Sequence, residues 1–101
     1  MEKIRWGIIG TGKIAHTFAE ALAGTEDAEL LAVASRTQEK AQEFADKFGF
    51  AKAYGSYKEL AEDSEVDVVY IATPMASQYG DAKLCISGGR NVLCEKSLAL
   101  N

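Results

Sequence analysis

The chain has 101 residues, of which 48% are apolar and only one is proline, so it has the composition and length of one small folded domain. Its formal net charge of −4 and the absence of a Lys/Arg cluster argue against a nucleic-acid surface, and no apolar stretch approaches the length of a membrane span. Cys85 and Cys94 lack metal-ligand spacing, which predicts buried thiols in a reducing cytosol, no metal site and a cytoplasmic protein.

The first half of the chain alternates strand-like and helical patterns. The run IRWGII predicts a buried strand over 4–9, and a helix follows that Gly24 can end. Residues 29–35 are nearly all apolar, as in a strand covered on both faces. Thr37 can cap a second helix, and Gly49 lies beyond its end. The residues expected to face inward are Ile14, Phe18, Ala21 and Leu22 from the first helix, and Ala41, Phe44, Ala45 and Phe48 from the second.

The second half continues the alternation with shorter elements. Ser56 and Glu59 have the spacing of a capping box, which predicts a short helix. A run of β-branched and aromatic residues then gives the strongest strand pattern in the chain. The predicted elements are a strand at 51–54, a helix opened by Ser56, a strand at 66–72, a helix at 76–87 with Tyr79, Ala82 and Ile86 at helical spacing, and a strand at 91–94.

The order of these elements, βαβαβαβαβ, predicts the fold class. Strands that alternate with helices form a parallel sheet with right-handed crossovers. We therefore expect an α/β protein: a Rossmann-like doubly wound parallel sheet of about five strands, with helices on both faces.

A glycine-rich loop joins the first strand to the first helix. Gly10, Gly12 and Ala15 match the G-x-G-x-x-G/A pattern. Gly10 permits a tight turn, Gly12 lets the backbone approach a diphosphate, and Ala15 is small enough for the helix to pack against the strand. The amide groups and the positive dipole end of the helix would face the anion. The alternative is a plain structural turn, but its position at the first strand-to-helix turn favours dinucleotide binding.

The residues after the second strand bear on which dinucleotide binds. An NAD site usually offers a carboxylate here, whereas this chain has Ser35, Arg36 and Thr37 and no acid before Glu39. Arg36 can pair with a 2′-phosphate, and the two hydroxyl groups can add donors. Alternatively, Arg36 is a solvated loop residue beside a helix cap. The pattern favours NADP, with NAD as the alternative.

Two further strand ends belong to the same edge of the sheet. Thr73 and Pro74 follow the fourth strand, and Glu95 and Lys96 follow the fifth. A lysine at the mouth of such a cleft can donate to a substrate oxygen or stabilise a developing oxyanion. The alternative for Glu95 and Lys96 is an ordinary polar pair after an edge strand, and spacing alone favours that alternative.

Five segments resemble, in order and in interval, the N-terminal domain of the glucose–fructose oxidoreductase/inositol dehydrogenase family (Gfo/Idh/MocA), especially its dihydrodiol dehydrogenase and sugar-type branches: GIIGTGKIA, VASRT, AYGSYKEL, VDVVYIATP and GGRNVLCEK. The resemblance covers essentially the whole chain and implies an NAD(P)-dependent oxidoreductase that moves hydride to or from a hydroxylated carbon of a sugar, cyclitol or dihydrodiol. It implies that Lys96 is catalytic. It implies that the cofactor contacts are Gly10, Thr11, Gly12, Lys13, Ile14, Ser35, Arg36, Thr73, Pro74 and Glu95.

The chain also departs from the family pattern. Met75, Gln78 and Ser97 stand where the family usually has Asn or His, His, and Pro. We expect residues 1–101 to form the cofactor domain, with the family's substrate and oligomerisation domain absent, and therefore cofactor binding with little turnover. His16, the only histidine, is expected in a helix-surface or capping role. The alternative is a diverged, truncated or designed Rossmann-like module that folds or self-associates without catalysis.

Overall fold

The computed structural model describes residues 3–94. Five strands alternate with four helices, as the sequence predicts. The elements are β1 (Ile4–Ile9), α1 (Lys13–Ala23), β2 (Ala28–Ala34), α2 (Gln38–Phe48), β3 (Lys52–Tyr54), α3 (Tyr57–Ala61), β4 (Val68–Ile71), α4 (Met75–Ser87) and β5 (Asn91–Cys94).

The strands form one parallel sheet in the order β3-β2-β1-β4-β5. The chain builds outward from β1 to β3 on one side and then crosses to β4 on the other side. Strand order therefore reverses between β1 and β4, and open α/β sheets bind ligands at the carboxyl ends of the strands at such a point. The predicted α/β Rossmann-like fold is confirmed.

Two apolar layers cover the two faces of the sheet. Residues of α1 and α2 pack on one face around Ile8 and Val33, and residues of α3 and α4 pack on the other face around Ile9 and Val69. Alternate residues of a strand point to opposite faces, so adjacent Ile8 and Ile9 enter different layers. The sheet is thereby covered on both sides, which explains why its strands are almost wholly apolar.

The predicted inward face of α1 is partly wrong. The buried residues are Ala15, Ala19 and Leu22, whereas Ile14 is 40% exposed and Ala21 is exposed. Small residues on the inner face let α1 approach the sheet closely, and the larger Ile14 lies on the first turn at the ligand-binding edge.

The apolar residues at helical spacing in α4 mark a helix correctly but do not form its buried face. Tyr79 is 80% exposed and Ile86 is 62% exposed, while Gln78 and Cys85 are buried. A buried glutamine must find a hydrogen-bond partner, and Gln78 finds one in the turn before the helix, as described below. Hydrophobicity alone therefore gives the wrong rotation for this helix.

The predicted helix ends agree with the structure. Thr37 caps α2, with its hydroxyl oxygen accepting from the amide of Lys40 at 3.2 Å. Ser56 caps α3 and also donates to the Glu59 carboxylate, at 3.1 Å. Gly49 ends α2 in the left-handed conformation, at φ 86°. Across residues 3–94, none of the helices combines the length and the apolar character needed to cross a membrane.

Candidate functional site: the cleft at the carboxyl ends of the strands

One cleft of about 1060 Å³ lies at the carboxyl ends of β1, β2 and β4. Every predicted cofactor residue within the described range lines it, although these residues come from three separate loops. They are Gly10, Thr11, Gly12, Lys13, Ile14, Ser35, Arg36, Thr73 and Pro74. The predicted contact Glu95 and the predicted catalytic residue Lys96 lie outside the described residues.

The turn after β1 packs tightly against the ends of β2 and β4. The amide of Gly10 donates to the carbonyl of Ala34 at 2.9 Å, and the amide of Ala72 donates to the carbonyl of Ile9 at 2.9 Å. Gly10 has φ 103°, and a Cβ atom there would lie 3.0 Å from the carbonyl oxygen of Ala72. This position therefore requires glycine for both conformation and space.

Gly12 is the N-cap of α1 and faces open space. No side chain caps this helix end, and a Cβ atom on Gly12 would meet nothing within 4 Å. The backbone amides of residues 11–15 donate no hydrogen bond to any other described residue. Residues 11–14 line the cleft, so amide donors at a helix N-terminus, with open space beside Gly12, fit a diphosphate group.

The charged residues that line the cleft are mostly basic. Among the described residues of the lining, Lys13, Arg36, Lys40 and Lys47 oppose the single carboxylate of Glu43, which is a surplus of three positive charges. The whole chain, by contrast, carries a net charge of −4. Positive charge concentrated in one cleft of an acidic protein favours an anionic ligand there.

The end of β2 supplies the hydroxyl groups and the guanidinium. Ser35 is buried, its amide donates to the carbonyl of Tyr54 at 3.1 Å, and its hydroxyl lies 3.4 Å from that of Thr11. The Arg36 side chain is exposed in the cleft lining and forms no ion pair with another described residue. Its donors therefore remain available for a phosphate.

The turn after β4 is held by side chains of α4. The hydroxyl of Thr73 donates to Asp81 Oδ2 at 2.6 Å, and Gln78 Nε2 donates to the Thr73 carbonyl at 2.9 Å. Because the Thr73 proton is engaged by Asp81, its oxygen can act towards a ligand only as an acceptor. Gln78 directs its donor at the protein backbone, so it stabilises the turn and does not line the cleft.

Several residues of the cleft lining were not predicted from the sequence as site residues. Lys40, Glu43 and Lys47 recur at i, i+3 and i+7 along α2, starting four residues after Arg36, and this spacing would have placed them on one helix face. His16 and Tyr57 carried no such signal. The missed residues are His16, Lys40, Glu43, Phe44, Lys47 and Tyr57.

Comparison with known proteins identifies the family. Residues 4–101 match the family model GFO_IDH_MocA, which describes an oxidoreductase family with an NAD-binding Rossmann fold. The chain belongs to this family. The predicted family resemblance is thereby confirmed, and the cleft is part of an NAD(P)-binding domain.

Named relatives support the same branch of the Gfo/Idh/MocA family. Trans-1,2-dihydrobenzene-1,2-diol dehydrogenases from Mus musculus and Danio rerio are 45% and 48% identical over 100 residues, which is 97% of this chain. That stretch is 30% of each relative's length. The chain thus spans less than a third of the curated relatives that it matches.

A solved structure of the same fold contains a cofactor. A 3-ketoreductase from Actinomadura kijaniata, in complex with TDP-benzene and NADP, superposes with a TM-score of 0.90 at 33% identity, over 96% of this chain and 31% of its own. An NAD binding oxidoreductase from Klebsiella pneumoniae superposes with a TM-score of 0.83 at 37% identity, over 98% of this chain and 28% of its own.

Proposed function

We propose that this domain binds NADP in preference to NAD and serves an enzyme that moves hydride between the nicotinamide and a hydroxylated carbon of a sugar, cyclitol or dihydrodiol. The observation that carries the proposal is the convergence of nine predicted residues on one cleft whose charged lining is mostly basic. The names of the relatives, diol dehydrogenases and a 3-ketoreductase with NADP, agree with a small hydroxylated substrate.

Different residues of the cleft contact different parts of the cofactor. The amides of residues 11–14, which line the cleft, hold the diphosphate, and Arg36 holds the 2′-phosphate with help from the hydroxyl of Ser35. Thr73 accepts a hydrogen bond from a ribose hydroxyl, and the exposed side chain of Ile14 gives apolar contact. When bound, the nicotinamide supplies the hydride chemistry, and the protein supplies position and charge.

The chemical step needs groups beyond the described residues. Lys96, with Glu95 beside it, is proposed from the sequence resemblance to donate to the substrate oxygen at the reacting carbon. A second domain is proposed to supply the acid–base group, the substrate pocket and an oligomer interface. We therefore expect the chain alone to bind cofactor with little turnover. We place the activity in the cytoplasm, because the cysteine pattern suits a reducing compartment.

Calorimetric titration with NADP and with NAD tests the cofactor proposal. Wild type should bind NADP more tightly. Arg36→Gln should remove most of that preference and weaken NADP binding by about tenfold or more, because hydrogen bonds to charged groups contribute about 1.5–3 kcal/mol. Lys83→Gln makes the same change in net charge on α4, away from the cleft, and should leave both affinities nearly unchanged.

Two results would contradict different parts of the proposal. If neither cofactor gives heat at millimolar concentration, cofactor binding by this chain is wrong. If NADP and NAD bind with equal affinity and Arg36→Gln changes neither affinity, the preference for NADP is wrong but the dinucleotide site remains.

Self-association is a second candidate function, favoured by exposed apolar side chains. Tyr79 and Ile86 lie seven residues apart on α4, and Leu93 on β5 is 42% exposed. Apolar side chains of this size on a surface suit contact with a second copy of the chain. Size-exclusion chromatography with light scattering decides the matter: a monomer at high protein concentration excludes a homo-oligomer of this chain.

A further inference from the structure

The side chain of His16 folds back along α1 to the first carbonyl of the helix. Its Nδ1 lies 2.9 Å from the carbonyl oxygen of Gly12, and its backbone amide lies 3.1 Å from the same oxygen. A carbonyl oxygen only accepts hydrogen bonds, so Nδ1 must carry the proton. The Gly12 carbonyl is therefore held from two directions by one residue.

Holding this carbonyl also sets the direction of the next amide. The Gly12 carbonyl and the Lys13 amide belong to the same planar peptide group and point in opposite directions. With the carbonyl fixed towards His16, along the helix, the Lys13 amide points out of the helix end into the cleft. The described residues offer that amide no hydrogen-bond acceptor, so it remains available to an anion.

Gly12 has no other side-chain restraint. It carries no Cβ, an added Cβ would touch nothing within 4 Å, and no side chain caps the helix. Glycine has the widest choice of backbone conformations, so the helical hydrogen bond from the His16 amide alone leaves the peptide some freedom of orientation. The His16 ring adds a second restraint from the helix side and leaves the ligand side open.

The ring of His16 is itself held in place by α2. It meets the rings of Phe44 and Phe48 edge to face, with centroid distances of 4.8 Å and 5.4 Å. Such contacts are favourable and directional. Phe44 is buried in the core, so the restraint on the loop is anchored in the packing between α1 and α2.

We propose that His16 is a positioning residue for the diphosphate, which presets the Gly12–Lys13 peptide so that the Lys13 amide faces the phosphate oxygens. This inference rests on the proposed cofactor function. Replacing His16 should therefore weaken the affinity for ligands that contain a diphosphate. It should have much less effect on the affinity for ligands that contain only the 2′-phosphate end.

Two matched variants isolate the hydrogen bond. In this chain Thr17 and Thr25 already donate to the carbonyl four residues earlier, at 3.3 Å and 3.0 Å. His16→Thr should therefore keep a donor to Gly12, whereas His16→Val, in which a methyl group replaces the threonine hydroxyl, should lose it; both variants remove the ring. We expect ADP to bind His16→Thr about fivefold more tightly than His16→Val, the typical effect of one hydrogen bond. The affinity for 2′-AMP, which has no diphosphate, should be the same in both.

The binding results separate this inference from the proposed function. If wild type binds ADP and NADP but the two variants bind ADP equally, the positioning role is wrong and the cofactor site stands. The positioning role is also wrong if the affinities for ADP and for 2′-AMP are both weaker in His16→Val than in His16→Thr. If wild type binds neither ADP nor NADP, the cofactor site and the inference fall together.

A measurement on the wild-type chain tests the inference without any variant, so the result does not depend on whether a variant folds. Nitrogen-15 NMR of the imidazole ring should show a proton on Nδ1 in the neutral form, and ADP should shift the amide resonance of Lys13 strongly. A neutral ring protonated on Nε2, or a Lys13 amide that ADP does not shift, would overturn the inference.

Discussion

Gly10 and Gly12 lie two residues apart in the loop after β1, but an added methyl group meets different surroundings at each. At Gly12 the methyl group would enter open space in the cleft. Gly12→Ala should therefore change the free energy of unfolding by less than about 1 kcal/mol. It should weaken NADP binding by about tenfold or more, because the methyl group occupies the space through which the phosphate reaches the amides. Urea denaturation and calorimetric titration measure the two effects.

Gly10→Ala is the matched control for this prediction. The methyl group would lie 3.0 Å from the carbonyl of Ala72, on a residue with φ 103°, which should destabilise the fold by about 1–3 kcal/mol. The glycine assignment would be contradicted if Gly12→Ala bound NADP as well as wild type does, or if Gly10→Ala were as stable as wild type.

At the scale of single residues, the sequence predicted the parts of the cleft that backbone chemistry dictates. Gly10 and Gly12 were predictable because the spacing of glycines follows from the turn and the anion. Arg36 was predictable because it lies two residues after the end of β2. His16 and Tyr57 were not, because they reach the cleft through the packing of helices, which local spacing does not encode.

Among the elements, α4 contains a glycine that the structure does not need. Gly80 is exposed within the helix, and an added Cβ would meet nothing within 4 Å. Gly80→Ala should stabilise the chain by about 0.5–1 kcal/mol, because alanine loses less backbone entropy in a helix. Urea denaturation at neutral pH measures the change, with the slope of the transition unchanged.

The glycine at the end of the same helix provides the control. An added Cβ at Gly88 would clash with the carbonyl oxygen of Ala61, so Gly88→Ala should destabilise the fold by about 1–3 kcal/mol through overpacking between α3 and α4. If Gly80→Ala and Gly88→Ala changed the free energy of unfolding equally, the packing of α4 on α3 would differ from the one described.

The order of elements was predictable from sequence, whereas the rotation of two helices was not. Strand runs and helix caps are local signals, and Thr37 and Ser56 cap where expected. The buried face of α1 uses Ala15 and Ala19, which a hydrophobicity pattern ranks below the exposed Ile14. In α4, the hydrogen bond of a buried Gln78 to the preceding turn determines which face is inward.

Across the whole molecule, the two ends of the sheet have different roles. At the carboxyl ends, donors are left unoccupied and face the cleft. At the amino ends, two arginine side chains bind neighbouring segments: Arg5 bonds Asp67 at 3.2 Å through two nitrogens, and Arg90 donates to the carbonyls of Asp63 and Val66. The cleft thus lies at one end of the strands, and the side-chain hydrogen bonds that join the strands and loops lie at the other end.

Asp63 is the centre of the paired edge. Its side chain is 6% exposed and accepts hydrogen bonds from Lys52 at 3.0 Å, from the Tyr54 hydroxyl at 2.7 Å and from the amide of Glu65 at 2.9 Å. Burial of the carboxyl group disfavours its charge, but these hydrogen bonds outweigh burial and hold the pKa of Asp63 below its ordinary value of 3.8. Asp67 also has a lowered pKa, because of its hydrogen bonds with Arg5.

These lowered pKa values predict how stability depends on pH. A carboxyl group with a lower pKa in the folded state stabilises the fold above its unfolded pKa, and this contribution is lost as pH falls through the folded pKa. Asp63→Asn should therefore destabilise the chain by about 1–3 kcal/mol at pH 7, because buried donors lose their charged acceptor. Its stability should approach that of wild type as the pH falls below 3.8. Glu20→Gln, at an exposed site on α1, is the control for removing one negative charge and should be about as stable as wild type at pH 7. A constant difference between Asp63→Asn and wild type from pH 7 to pH 2 would mean that ionisation of Asp63 does not hold β3 to the loop before β4.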